Sequence, residues 1–163
     1  MHRRTVLAGI GGAALLGGGY LGVDLFAPER ATVTDADAAD GDETVLKRGT
    51  FVGKAGHRCS GTVELVEDAA GRYLQFRDYE QTPGPDVFCY LTPDGDPDTT
   101  IEVRDGTKVL IDGGADGGEL TLTGTFVQRL PADLTADLDS LGGVAVWCEN
   151  FSVPFGAATL EAV

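Results

Sequence analysis

From Val45 onward the chain consists of short alternating runs, each stopped by Gly, Pro or Asp. In Thr62-Val63-Glu64-Leu65-Val66 the apolar Val63 and Leu65 fall at every second position. Leu74 and Phe76 do the same in Arg72-Tyr73-Leu74-Gln75-Phe76-Arg77, and Val87, Cys89 and Leu91 do so in residues 86–92. Successive side chains of a strand point to opposite faces, so this spacing buries one face and wets the other. Further runs of the same kind cover residues 46–52, 101–103, 107–111, 119–122, 126–130, 143–148 and 157–162, while 134–141 fits a helical turn or two. Many short strands separated by turn residues predict an all-β domain, an antiparallel β-sandwich or a barrel-like sheet.

Two different segments precede this body. Residues 1–26 place Arg3 and Arg4 before an uncharged, glycine-rich run from Thr5 to Val23. That is the layout of a targeting segment and not of a core helix. It resembles a twin-arginine export signal, with Arg3-Arg4 followed by Thr5, Val6 and Leu7. Only a poor small-residue cleavage site comes after it, and an uncleaved run of about 20 residues just spans a bilayer. The expectation is an N-terminal hydrophobic signal or anchor helix, its arginines inside and the rest of the chain outside. Cleavage instead leaves a secreted protein. Residues 27–44 carry six acids, one base and almost no apolar bulk, which reads as a disordered, solvated linker. The body is then 45–163.

Charge and histidine count close off several function classes. The chain has 26 acidic against 12 basic side chains, and only Lys47, Lys54 and Lys108 are lysines. Such an excess opposes phosphate, so nucleic acid is not an expected partner, and the composition suits concentrated salt, where like charges are screened. With His2 in the N-terminal segment, His57 is the one histidine of the body. A blue-copper site, bis-histidine haem ligation and a histidine-rich catalytic zinc site each need more.

The order of the strands and their punctuation resembles the DM-13 domain, known as an electron-transfer domain. The resemblance runs through Gly49-Thr50-Phe51, His57, Ser60-Gly61-Thr62-Val63, Tyr73-Leu74-Gln75-Phe76-Arg77-Asp78-Tyr79 and Gly84-Pro85-Asp86-Val87-Phe88-Cys89-Tyr90-Leu91. It is most specific at Gly143-Val144-Ala145-Val146-Trp147-Cys148 and Phe151-Ser152-Val153-Pro154-Phe155-Gly156-Ala157-Ala158-Thr159-Leu160. It implies an extracytoplasmic β domain with one signature cysteine, which falls on Cys148. A redox role for that cysteine, as a bare thiol or through a prosthetic group such as haem, is implied with it. Because the domain stands alone behind its anchor, a redox partner would be a separate cell-surface or membrane protein.

The residues themselves leave alternatives open. Three cysteines in an exported chain suggest one bridge and one leftover thiol. Cys59 and Cys89 are extra to the family pattern, and a bridge between them closes a loop of about 30 residues, worth ~3 kcal/mol. Cys148 has Glu149 beside it and no adjacent cation, so local sequence favours an inert core cysteine over a reactive one. His57 either activates Cys148 across the fold or bonds a carbonyl near the turn at Gly56. The scattered Cys₃His set lacks the tight spacing of structural zinc. Asp94, Asp96 and Asp98 alternate as in a calcium loop but lack its glycine and flanking helices, which leaves open a loose calcium-stabilised loop or a plain acidic turn. No catalytic constellation is present. Two functions remain: an accessory redox domain working through Cys148, or a non-catalytic cell-surface module with Cys148 in its core.

Overall fold

Residues 42–109, 123–134 and 137–163 are described by a computed structural model of the chain. Its strands are β1 (Thr44–Gly53), β2 (Cys59–Asp68), β3 (Gly71–Gln81), β4 (Val87–Thr92), β5 (Thr107–Val109), β6 (Thr123–Arg129), β7 (Gly143–Cys148), β8 (Val153–Thr159) and β9 (Glu161–Ala162). One short helix, α1 (Thr100–Arg104), lies between β4 and β5. The segment 1–26 with Arg3 and Arg4, most of the acidic linker and the run expected over 119–122 lie outside the described residues. Among the described residues no helix is long and apolar enough to cross a membrane.

The strands form one antiparallel, curled half-barrel sheet in the order β5-β4-β7-β8-β1-β2-β3-β6, with β9 beside β1. The barrel-like expectation therefore holds, and two separate stacked sheets are not formed. β1 joins the two wings. Its first part pairs with β2 on one side and β9 on the other, while Phe51, Val52 and Gly53 pair with β8.

One contribution to the curl is an inserted residue in β3. β3 carries one residue more than each neighbour at Asp78, so its register shifts against β2 and against β6 at the same place. Asp78 adopts a left-handed backbone (φ 48°), and glycines with positive φ, Gly61 and Gly124, lie across from it on either side. A bulge of this kind bends a strand and raises its twist. It also switches which residues face inward. Leu74 and Phe76 point into the core ahead of the bulge, and Tyr79 and Gln81 after it.

The concave face is the main core, where Phe51, Phe76, Tyr79 and Phe126 form one aromatic cluster. β7 is buried throughout. Val144, Val146 and Cys148 face the main core, while Ala145 and Trp147 face the other way, under Val103 of α1. Burial on both sides explains why this strand reads as a continuous apolar run.

Three expected elements differ from the reading above. The alternation at 101–103 belongs to α1, which begins at a capping box: the Thr99 hydroxyl accepts from the Glu102 N–H, and the Glu102 carboxylate accepts from the Thr99 N–H. The run over 157–162 is the end of β8 and then β9, with Leu160 between them. Over 134–141 the described residues are bends and irregular chain.

A Cβ at Gly61 would lie 2.6 Å from the Asp78 carbonyl oxygen, at a φ of +100°. Gly61→Ala is expected to cost about 1–3 kcal/mol in a urea melt; an unchanged midpoint would show that the bulge needs no glycine there.

Candidate functional site

β7 positions Cys148 in the middle of a wing, opposite Val87 of β4 and Val153 of β8. By parity with Val144 and Val146 its side chain points inward, and it is completely buried. Its thiol donates to the Pro85 carbonyl oxygen at 3.1 Å. That contact ties the end of β7 to the turn before β4, where Glu149 N–H also donates to the Asp86 carbonyl.

His57 is elsewhere engaged. It sits at the turn between β1 and β2, where its N–H donates to the Lys54 carbonyl at 2.8 Å. Its ring stacks on Phe155 with centroids 3.7 Å apart and planes 12° from parallel. Phe155 is the extra residue of a second bulge, in β8 opposite Val146 and Trp147. His57 and Cys148 thus have separate partners, a ring and a carbonyl, and the imidazole–thiol pairing considered from sequence is not among the described contacts.

All three thiols are free and buried, so the bridge expected between Cys59 and Cys89 is not formed. Cys59 opens β2 and lies over Gly156, where a Cβ would come within 2.6 Å of its sulfur. Its thiol contacts Tyr79 Oη at 3.8 Å, and the Tyr79 hydroxyl donates to Gln81 Oε1 at 2.5 Å. Gln81 Nε2 is buried without a protein partner. Burial pushes the Cys59 thiol up to about 11, against a smaller opposing effect of the Tyr79 bond. Burial also raises Cys89, and the neighbouring Cys59 raises it further. These groups are held neutral, the state in which a thiol is a poor nucleophile and a poor ligand. Sequence missed Tyr79 and Gln81 because the Asp78 bulge reverses the alternation just before them.

The acidic run holds a cation of the protein's own. Lys54 Nζ lies 2.8 Å from Asp96 and 2.5 Å from Asp98, tying the end of β1 to the loop before α1. Asp94 accepts from the Asp96 N–H in a local turn. Lys54 thus pairs with two of the three carboxylates considered from sequence for calcium. Among the described residues no group of three or more His, Cys, Asp or Glu side chains is arranged for a metal ion.

A haem or similar prosthetic group does not fit at Cys148. Its sulfur is packed among core side chains, and surface clefts of about 410, 260 and 230 Å³ are lined by none of the three cysteines nor by His57. Seating such a group would mean dismantling the pairing of β7 with β4 or β8.

The raised thiols make stability sensitive to alkali. An unfolded thiol ionises from about pH 8.5, whereas folded Cys59 keeps its proton to about 11. The folded state therefore binds more protons, and stability falls as pH rises through that window, by about 3 kcal/mol for this one group. Urea midpoints measured from pH 8 to about 11 should fall, and Cys59→Ala should flatten the slope; equal slopes would contradict a buried, neutral Cys59.

The profile of a known family, described as electron transfer DM13, matches residues 50–160, which include β2 to β8 and the end of β1. No curated protein and no solved structure matches significantly. With the profile spanning more than half of the chain and all four of His57, Cys59, Cys89 and Cys148, the chain belongs to the electron transfer DM13 family, and its role is related to electron transfer.

Proposed function

We propose that this domain is an exported accessory module of electron transfer, with no catalytic activity of its own, whose partner is a separate cell-surface or membrane redox protein. Membership of the DM13 family supports the redox role. The resemblance of residues 1–26 to a twin-arginine signal supports export and a tether at the outer face of the cytoplasmic membrane, and the acidic stretch 27–44 supplies the spacer.

The observation that carries this reading is the family match over residues 50–160, and the burial of Cys148, with its thiol turned to the Pro85 carbonyl, limits how that cysteine can act. A partner cannot reach this sulfur without opening β7 from its neighbours, so exchange of disulfides at the surface is not the working chemistry. Electrons cross the folded protein, and Cys148 contributes from within. The second reading, Cys148 as a core residue only, is favoured by the same burial and by the absence of a cation among its bonded partners.

Cys148→Ser separates the two, since serine keeps a donor for Pro85. In the full chain the variant is expected to lose about 1–2 kcal/mol of stability, as a hydroxyl replaces a thiol in an apolar site. Electron exchange between membranes carrying the full chain and ferricyanide is expected to fall about tenfold or more. Unchanged exchange with only the stability loss would establish the core reading.

A further inference from the structure

On the convex side of the same wing, Tyr90 of β4 packs with Trp147, Ala145 and Val103. Its hydroxyl donates to Glu149 Oε1. Lys108 Nζ, from β5, holds the same carboxylate oxygen at 2.7 Å and lies 3.2 Å from the centroid of the Phe88 ring. Arg104 of α1 is the remaining charge facing the phenol. A cleft of about 230 Å³, lined by Tyr90, Val103, Arg104, Trp147, Glu149 and Ser152 among others, opens this group to solution. We propose that Tyr90 is a redox-active side chain that passes one electron to a separate acceptor while its phenolic proton moves to Glu149.

In this step the Tyr90 O–H bond breaks and its proton goes to Glu149 Oε1, turning the carboxylate into a neutral carboxyl. One electron leaves the ring for a high-potential, metal-centred acceptor on the partner protein, which is reduced by one electron. A neutral tyrosyl radical remains; a one-electron donor, a reduced metal centre on a separate redox protein, returns the electron, and the Glu149 carboxyl hands its proton back to the phenolate oxygen. An oxidised phenol is a far stronger acid than a carboxylic acid, so a base already in hydrogen-bond contact removes the cost of forming a charged radical. Burial pushes the Glu149 carboxyl up, but its bonds from Lys108 and Tyr90 outweigh this and hold it ionised.

The other described tyrosines lack this combination. Tyr79 donates to the amide oxygen of Gln81, which is no base at neutral pH, and is buried in the main core. Tyr73 reaches Glu43, but its side chain is completely buried and closed to a separate acceptor. Trp147 lies beside Tyr90 on the outer face, with Cys148 the next residue inward, so the proposal extends the electron-transfer reading above and rests on it.

The test uses the full chain and photogenerated tris(bipyridyl)ruthenium(III) as a one-electron oxidant, with electron paramagnetic resonance and transient absorption as readouts. The wild-type chain is expected to give a neutral tyrosyl signal that Tyr90→Phe removes, at unchanged thermal stability. Glu149→Gln should slow its appearance about tenfold or more. A signal that survives in Tyr90→Phe, from Tyr20, Tyr73 or Tyr79, overturns the proposal, as does an unaltered rate in Glu149→Gln or no tyrosyl signal at all. If Tyr90→Phe does not fold, the rate in Glu149→Gln decides. The oxidant acts without a partner, so failure here is distinct from failure of exchange at the membrane.

Discussion

The two wings share one strand. β1 pairs with β2 and β9 over its first part and with β8 over its last three residues, so neither wing completes its hydrogen bonding without it. A curled sheet with a common concave face then has a single core to fill, and Phe51 of β1 packs against Phe76 and Tyr79 of β3 at its centre. The bulge at Asp78 bends the far wing inward, and the bulge at Phe155 does the same for β8. Cys59, Cys89 and Cys148 all belong to this core, on strands from both wings. Their chemistry is set by that confinement more than by any adjacent charge.

The all-β class was readable because apolar residues recur at every second position in β2, β3 and β4, even where both faces are covered, as in β4. Three features broke the rule for physical reasons. The residues Ile101-Glu102-Val103 alternate as a strand would, yet the capping box of Thr99 and Glu102 starts a helix, and that signal was present in the sequence. Val153-Pro154-Phe155-Gly156 contains two residues that usually end strands, but Pro154 sits at a bulge and Gly156 makes room for Cys59. Tyr79 and Gln81 turn inward only because of the extra residue before them. In the site, Cys148 was legible as the signature position, whereas its Pro85 partner, the Phe155 face under His57 and the Tyr90–Glu149 pair are contacts between distant strands and leave no local pattern.

The acidic composition acquires a structural meaning in the pairs. Arg48, Arg77 and Arg129 bind the carboxylates of Glu64 and Asp68, whose side chains are nearly buried, while Lys54 and Lys108 fix loops to the sheet. Few bases are present, and they are placed where strands or loops must be joined. Individual exposed pairs contribute little, but Glu64 ties β2 to Arg48 of β1 and Arg77 of β3, and the two-pronged Asp68–Arg129 contact reaches from the end of β2 past β3 to β6. The other acids among the described residues are exposed or half-buried, where salt screens them.

The two faces of β7 divide the functional chemistry between them. Inward, Cys148 is closed off beneath the sheet; outward, Trp147 and Tyr90 lie beneath α1 beside a carboxylate and an open cleft. In the proposed function, electrons pass without any thiol reaching the surface. Alkylation of the full chain purified without reduction, read by intact mass and peptide mapping, tests this most directly. No label is expected on the folded chain, even during electron exchange, and three labels after unfolding, one for each free cysteine. Labelling of Cys148 in the folded chain, rising as exchange proceeds, would contradict it.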